Sequence, residues 1–148
     1  MESVEQSRNI HNYCNFPTQG GTRGLGLVRS NSWGKNSNLT GKKPLLVAQI
    51  ETEEGVSNLK DISNFDFDYY LIGPYDLSMS MKIPQQFDDE KFMLKIKSIH
   101  DIIGEEKLGI HIPSDVDKQI SKYQNFGLLA LGMDTTILID GLNNLEKY

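Results

Sequence analysis

Four short apolar runs, each followed by a stretch of helical spacing, constrain this chain more than any single motif. They are Leu45–Gln49, Tyr69–Ile72, Leu108–Ile112 and Leu128–Gly132. Strands that alternate with helices must cross over to reach their neighbours, so they lie parallel in one sheet. The intervening segments fit. Val56, Leu59 and Ile62 fall at helical spacing after the first run. After the second, Phe92, Ile96, Ile99 and Ile103 draw one apolar stripe, expected to begin near Asp88–Asp89 and to stop at Gly104. After the third, Ser114 is placed to cap a helix with Val116, Ile120 and Tyr123 facing inward and Gly127 ending the segment. A short helical stretch closes the chain, and Val4–Tyr13 reads as a helix near its start. Four βα units are about half of a closed (β/α)8 barrel, which takes eight strands and about 250 residues. The pattern therefore leaves two architectures open: a flavodoxin-like open sheet, or half of a barrel whose other strands lie elsewhere.

Between the first helix and the first strand, residues Asn15 to Thr40 are rich in Gly, Asn, Ser and Arg and lack periodicity. Loops of that length inside a compact domain are usually functional or mobile. The 148 residues are enough for one domain with a core, and we read residues 1–148 as a single unit. Twenty acids against fifteen bases give a formal net charge of −5, which offers no basic field to nucleic acid or to an anionic membrane. A lone cysteine, Cys14, excludes an internal disulfide and a multi-cysteine zinc site. With no apolar stretch of membrane-spanning length and no signal-peptide core, the expected compartment is the cytosol.

Two acids stand at the ends of the first two runs: Glu51 after Leu45 to Ile50, and Asp76 in Tyr69 to Ser78. Read as one extended run, the second segment makes Asp76 a strand-end residue. Adjacent parallel strands place both carboxylates at the same edge of the sheet, where α/β folds bind ligands. Two hard oxygen donors with room for water suit Mg²⁺ or Mn²⁺ better than Zn²⁺. An equally physical alternative is that Glu51 opens an acidic helix start and Asp76 caps a turn after Gly73-Pro74.

The runs Gln49-Ile50-Glu51-Thr52, Asn58-Leu59 and Ile72-Gly73-Pro74-Tyr75-Asp76-Leu77-Ser78 resemble the HpcH/HpaI aldolase/citrate lyase family, in particular its metal-dependent class II aldolases acting on 2-oxo acids. Upstream, Phe16-Pro17, Arg23-Gly24 and Gly26 are similar to that family's Arg-Gly loop; downstream, Gly109-Ile110 and Leu131 to Thr135 resemble its last two strands. The resemblance implies the C-terminal part of a TIM (β/α)8 barrel, starting at the helix after the fourth strand. It implies Glu51 and Asp76 as metal ligands, Mg²⁺ or Mn²⁺ as the cofactor, and Gln49, Gly73, Tyr75 (through its backbone) and Asp76 as contacts to a pyruvate-like 2-oxo acid. The implied reaction is cleavage of a 4-hydroxy-2-oxo acid to pyruvate and an aldehyde, with the metal acting as Lewis acid on the developing enolate.

This sequence departs from the family in ways that bear on activity. The family's histidine base and its arginine come from strands that this chain does not contain. His111, at the end of Leu108-Gly109-Ile110-His111, is the candidate replacement base, because histidine is the side chain that ordinarily titrates closest to neutral pH. His11 and His100 read as solvated or structural, Arg23 and Arg29 as loop arginines that could reach an anion, and Trp33 with Tyr69-Tyr70 as packing groups. Lys82 and Gln85 stand where glycine is frequent in the family, which implies a less tight loop there. Two functions follow as expectations: an aldolase domain completed by a homo-oligomer or a partner chain that supplies the remaining strands, or a non-catalytic remnant that binds metal and 2-oxo acid or serves assembly.

Overall fold

The computed structural model describes residues 1–36, 44–114 and 116–145. Part of the long loop, residues 37–40, lies outside them. Helix α1 (Val4–Cys14) begins at Ser3, whose side chain accepts from the Gln6 amide in a reciprocal capping box, and the expected helix is borne out. Strands β1 (Val47–Ile50), β2 (Tyr69–Ile72), β3 (Leu108–Ile112) and β4 (Leu128–Leu131) form one sheet in the order β1-β2-β3-β4. Every neighbouring pair is parallel. Sequential order with same-handed crossovers puts the helices on one face, as in a barrel; a flavodoxin-like sheet would reverse its strand order. The half-barrel expectation therefore holds and the flavodoxin alternative falls.

Burial shows which face the helices cover. In β1 and β2 Ala48, Ile50, Tyr70 and Ile72 are buried, while their alternating neighbours Val47, Gln49, Tyr69 and Leu71 are exposed or half-buried. The covered face packs on Val56, Leu59 and Ile62, on Leu77, and on Phe92, Ile96 and Ile99. Helix α5 (Glu90–Ile103) supplies that last set, as its stripe predicts; Asp89 caps it by accepting from the Lys91 amide, and Gly104 follows its end with φ of 81°. β1 and β2 are thus buried on one face, β3 is buried except at half-buried His111, and β4 is half-buried or exposed throughout. β1 and β4 are the outer strands of the order, with the Met1 amino group donating to the Gln49 carbonyl (2.8 Å) on β1.

Several elements differ from the sequence expectation for identifiable reasons. The helix after β1 is broken into α2 (Glu53–Ser57) and α3 (Leu59–Ile62) at Asn58, whose side-chain amide donates to the Glu2 carbonyl (2.8 Å) and ties the N-terminal segment down. Tyr69 to Ser78 is not one extended run: the strand stops at Ile72, and Pro74–Ser80 forms helix α4 with Pro74 at its first position. Helix α6 (Val116–Gln119) is a single turn running into a 3-10 turn, Ile120–Lys122; Tyr123 is buried as expected but Ile120 is 38% exposed. The final stretch is a full helix, α7 (Asp134–Leu145). No helix among the described residues is long and apolar enough to cross a membrane.

Candidate functional site at the C-terminal edge of the sheet

The site begins with register. Gln49 pairs with Leu71 and Ile50 with Ile72, and the Gly73 amide donates to the Ile50 carbonyl (3.0 Å), which carries the ladder one residue beyond β2. Ile72 in turn pairs with Ile110. Glu51, Gly73 and His111 therefore occupy one row across the C-terminal ends of β1, β2 and β3, on the face without helices. Neighbouring strands lie about 4.8 Å apart, so Glu51 and His111 are roughly 10 Å apart along that row.

Gly73 stands between them without a side chain, and the packing shows why. A Cβ there would lie 3.0 Å from Gln49 Nε2, 3.1 Å from Glu51 Cβ and 3.2 Å from Glu51 Oε2. Gln49 Nε2 donates to Glu51 Oε2 at 2.6 Å, a short charge-assisted bond that orients the half-buried carboxylate across the glycine. Gln49, Glu51 and Gly73 are thus brought into contact.

Asp76 follows β2 but lies on a different element from the one the sequence pattern suggests. It sits exposed in the first turn of α4, not at a strand end. The reason is Gly73-Pro74: proline fixes φ and lacks a donor, which suits the first position of a helix. Helix α4 is moored to the neighbouring unit, since Ser80 Oγ accepts from the Glu53 amide (3.0 Å) just after Glu51. Among the described residues no three His, Cys, Asp or Glu side chains cluster in the manner of a closed metal cage. The donor set present, two carboxylates at an open edge with a glycine cradle beside one of them, fits a hard divalent ion that retains water ligands.

His111 is half-buried on β3, and its Nε2 lies 3.2 Å from the Gly132 carbonyl. A carbonyl only accepts, so Nε2 is the donor and the lone pair of the neutral ring lies on Nδ1. His111 and Tyr75 line one narrow cleft together with Pro74, Phe87, Gln119 and Tyr123. Tyr75 itself is 40% exposed, its ring set edge-on to Phe87 with centroids 5.1 Å apart.

The remaining residues singled out in the sequence fall outside this row. His100 stacks on Phe126 (6.3 Å) and lies near Asp101 and Glu105. Arg23 lies over the Phe16 ring at 4.9 Å and donates to the Cys14 carbonyl (3.4 Å). Tyr70 is a packing group as expected: it is buried, donates to the Phe65 carbonyl, and its phenol is pushed up to about 12, first by burial and then by the charge of Asp66. Trp33 is not a packing group; it is 66% exposed. Ser78, which sequence reasoning gave no role, is buried and holds the site's helix to its loop, donating to the Tyr75 carbonyl (2.8 Å) and accepting from the Gln85 amide (3.0 Å). The only signal for it was its place in the Asp-Leu-Ser run.

The family model described as HpcH/HpaI aldolase/citrate lyase matches residues 1–140. No curated protein sequence matches the chain significantly. Among solved structures, a family protein from Burkholderia cenocepacia J2315 superposes with a TM-score of 0.84 at 18% identity, covering 99% of this chain and 61% of that one. Citrate synthase SbnG superposes at 0.78 with 22% identity, over 99% of this chain and 59% of the other. The HpcH/HpaI aldolase from Desulfitobacterium hafniense DCB-2 gives 0.73 at 21% identity, over 100% and 62%. These folds are TIM-barrel-like, and the chain spans about three fifths of the length of each.

Proposed function

The chain belongs to the HpcH/HpaI aldolase/citrate lyase family, and from that membership we propose that it carries the metal and 2-oxo acid half-site of a class II carbon–carbon lyase. Glu51 and Asp76 hold Mg²⁺ or Mn²⁺, and the ion supplies Lewis acidity toward a 2-oxo acid. Gln49 orients the Glu51 carboxylate, Gly73 leaves the space in which that carboxylate sits, and the Tyr75 backbone contacts the ligand at the start of α4. The observation that carries this reading is the cradle: Gln49 and Glu51 are hydrogen-bonded directly over a glycine at which a Cβ would press on both side chains at 3.0–3.2 Å.

Proton transfer falls to His111 through Nδ1, the nitrogen left free by the bond to Gly132. The substrate class is a 4-hydroxy-2-oxo acid released as pyruvate and an aldehyde, and the setting is the cytosol. The family's own base and arginine lie in strands outside this chain, and such groups each contribute orders of magnitude. We therefore assign full turnover to the completed barrel, in which the remaining strands stand beside these four. The chain by itself retains at most enolisation. A non-catalytic role as a binding or assembly module is the second reading, favoured by the position of β1 and β4 as outer strands of a four-stranded sheet.

Exchange of the pyruvate methyl protons in D₂O, followed by NMR, tests the half-site without knowledge of the aldehyde. Metal-dependent exchange that disappears in Glu51→Gln is the expected result. Exchange that survives that substitution refutes the assignment. Cleavage of a 4-hydroxy-2-oxo acid by the purified chain is expected to be negligible with or without metal; robust cleavage lost in His111→Ala makes His111 a sufficient base.

A further inference from the structure

Helix α4 carries Asp76 and the Tyr75 amide, yet it has only seven residues. An isolated helix of that length does not hold itself together in water. Its position must come from what it touches. Ser78 grips the Tyr75 carbonyl from inside the helix while accepting the Gln85 amide from the loop that follows. That loop folds back through Lys82 and Gln85, both left-handed with φ of 60° and 59°, and so delivers Phe87 to the edge of the Tyr75 ring. Phe87 continues onto Phe92, with centroids 5.6 Å apart, and Phe92 is 1% exposed in the core face of α5. A line of three rings thus runs from the first turn of α4 to the hydrophobic core.

We propose that Tyr75 is a positioning residue: its ring, anchored through Phe87 to Phe92, clamps the first turn of α4 so that the Tyr75 amide and Asp76 are held at the sheet edge. This rests on the half-site reading above for the ligand that those groups meet. A small side chain at position 75 keeps the backbone amide but releases the turn. The exposed Tyr75 ring therefore serves the site without touching the ligand, through the geometry of its own backbone.

The test uses Tyr75→Ala, Phe87→Leu and the conservative Tyr75→Phe in the full chain, with two readouts. Exchange of the Leu77 amide, which donates to the Gly73 carbonyl across the first turn of α4, reports the clamp without metal; the Tyr70 amide, bonded to Lys107 in the sheet, reports global stability. We expect Tyr75→Ala and Phe87→Leu to speed Leu77 exchange by about tenfold, the worth of one aromatic edge contact, with Tyr70 unmoved and Tyr75→Phe near the wild-type rate. On Mn²⁺-loaded protein the same two variants should bind pyruvate about tenfold more weakly, and Tyr75→Phe should restore the affinity. Unchanged Leu77 exchange in Tyr75→Ala, or acceleration shared equally by Tyr70, overturns the clamp and leaves the half-site standing. Absence of Mn²⁺ binding in the wild type refutes the half-site, while the exchange measurement still decides the clamp.

Discussion

Replacing Gly73 by alanine separates function from stability at this site. Gly73 has φ of −93° and ψ of 91°, a conformation alanine adopts freely, so no backbone strain accompanies the change. Alanine in place of glycine also restricts the unfolded chain, a gain of about 0.4–1 kcal/mol. Against it stand three contacts at 3.0, 3.1 and 3.2 Å, each a few tenths of an ångström inside ordinary carbon packing at about 3.5–4.0 Å. Gln49 Nε2 and Glu51 Oε2 are ends of flexible side chains and can swing away for about 0.5–1.5 kcal/mol of rotamer cost. Only Glu51 Cβ is fixed to the strand. The terms nearly cancel, and Gly73→Ala should change unfolding stability by no more than about 1 kcal/mol in urea titration. Metal binding has no such cancellation, because the methyl group turns Glu51 out of its cradle and disturbs the Gln49 bond that orients it. Losses of about 10–100-fold in affinity accompany disruption of a ligand's supporting contacts. Mn²⁺ titration followed by electron paramagnetic resonance should show that loss. An alanine variant that binds Mn²⁺ as tightly as the wild type, or one destabilised by several kcal/mol, refutes the reasoning.

Other perturbations test separate parts of the structure. The phenol of Tyr70, raised to about 12, keeps its proton in the fold while the unfolded chain releases one near pH 10. Stability from this group is therefore intact below pH 10 and declines by up to about 2–3 kcal/mol as pH rises to 12; urea unfolding of Tyr70→Phe across that window should show a correspondingly shallower decline. Lys82→Gly and Gln85→Gly should each raise the urea midpoint, because a left-handed L-residue costs about 1–2 kcal/mol and the extra entropy of glycine returns only about 0.5–1. A lowered midpoint in both variants would show that the loop does not hold those angles.

Legibility in the sequence followed the range of the interactions involved. The strands were readable because short apolar runs end in Gly, Pro or charged residues, and α5 was readable because Phe92, Ile96, Ile99 and Ile103 repeat at helical spacing between Asp89 and Gly104. Helix α4 was not, since Gly73-Pro74 reads equally as a turn and two turns of helix leave too few apolar positions for a period. The break at Asn58 depends on a bond to Glu2, 56 residues away in the chain, and no local pattern encodes it. At the site, the sequence marked Glu51, Asp76 and Gly73 as residue types. That Gln49 and Glu51 close over Gly73 required the parallel register of β1 and β2, and the tautomer of His111 required the approach of Gly132 from β4's far end. Side chains at positions 82 and 85 suggested a looser loop, yet both residues adopt left-handed angles, with φ of 60° and 59°.

In the function proposed above, Glu51 and Asp76 together hold a divalent metal at the C-terminal edge of β1 and β2. Titrating the purified chain with Mn²⁺ under electron paramagnetic resonance tests it most directly, with Glu51→Gln as the paired sample. One weak, saturable site, tightened by pyruvate and lost in Glu51→Gln at unchanged thermal stability, is the predicted result. No saturable binding, or binding that Glu51→Gln leaves intact, would contradict it.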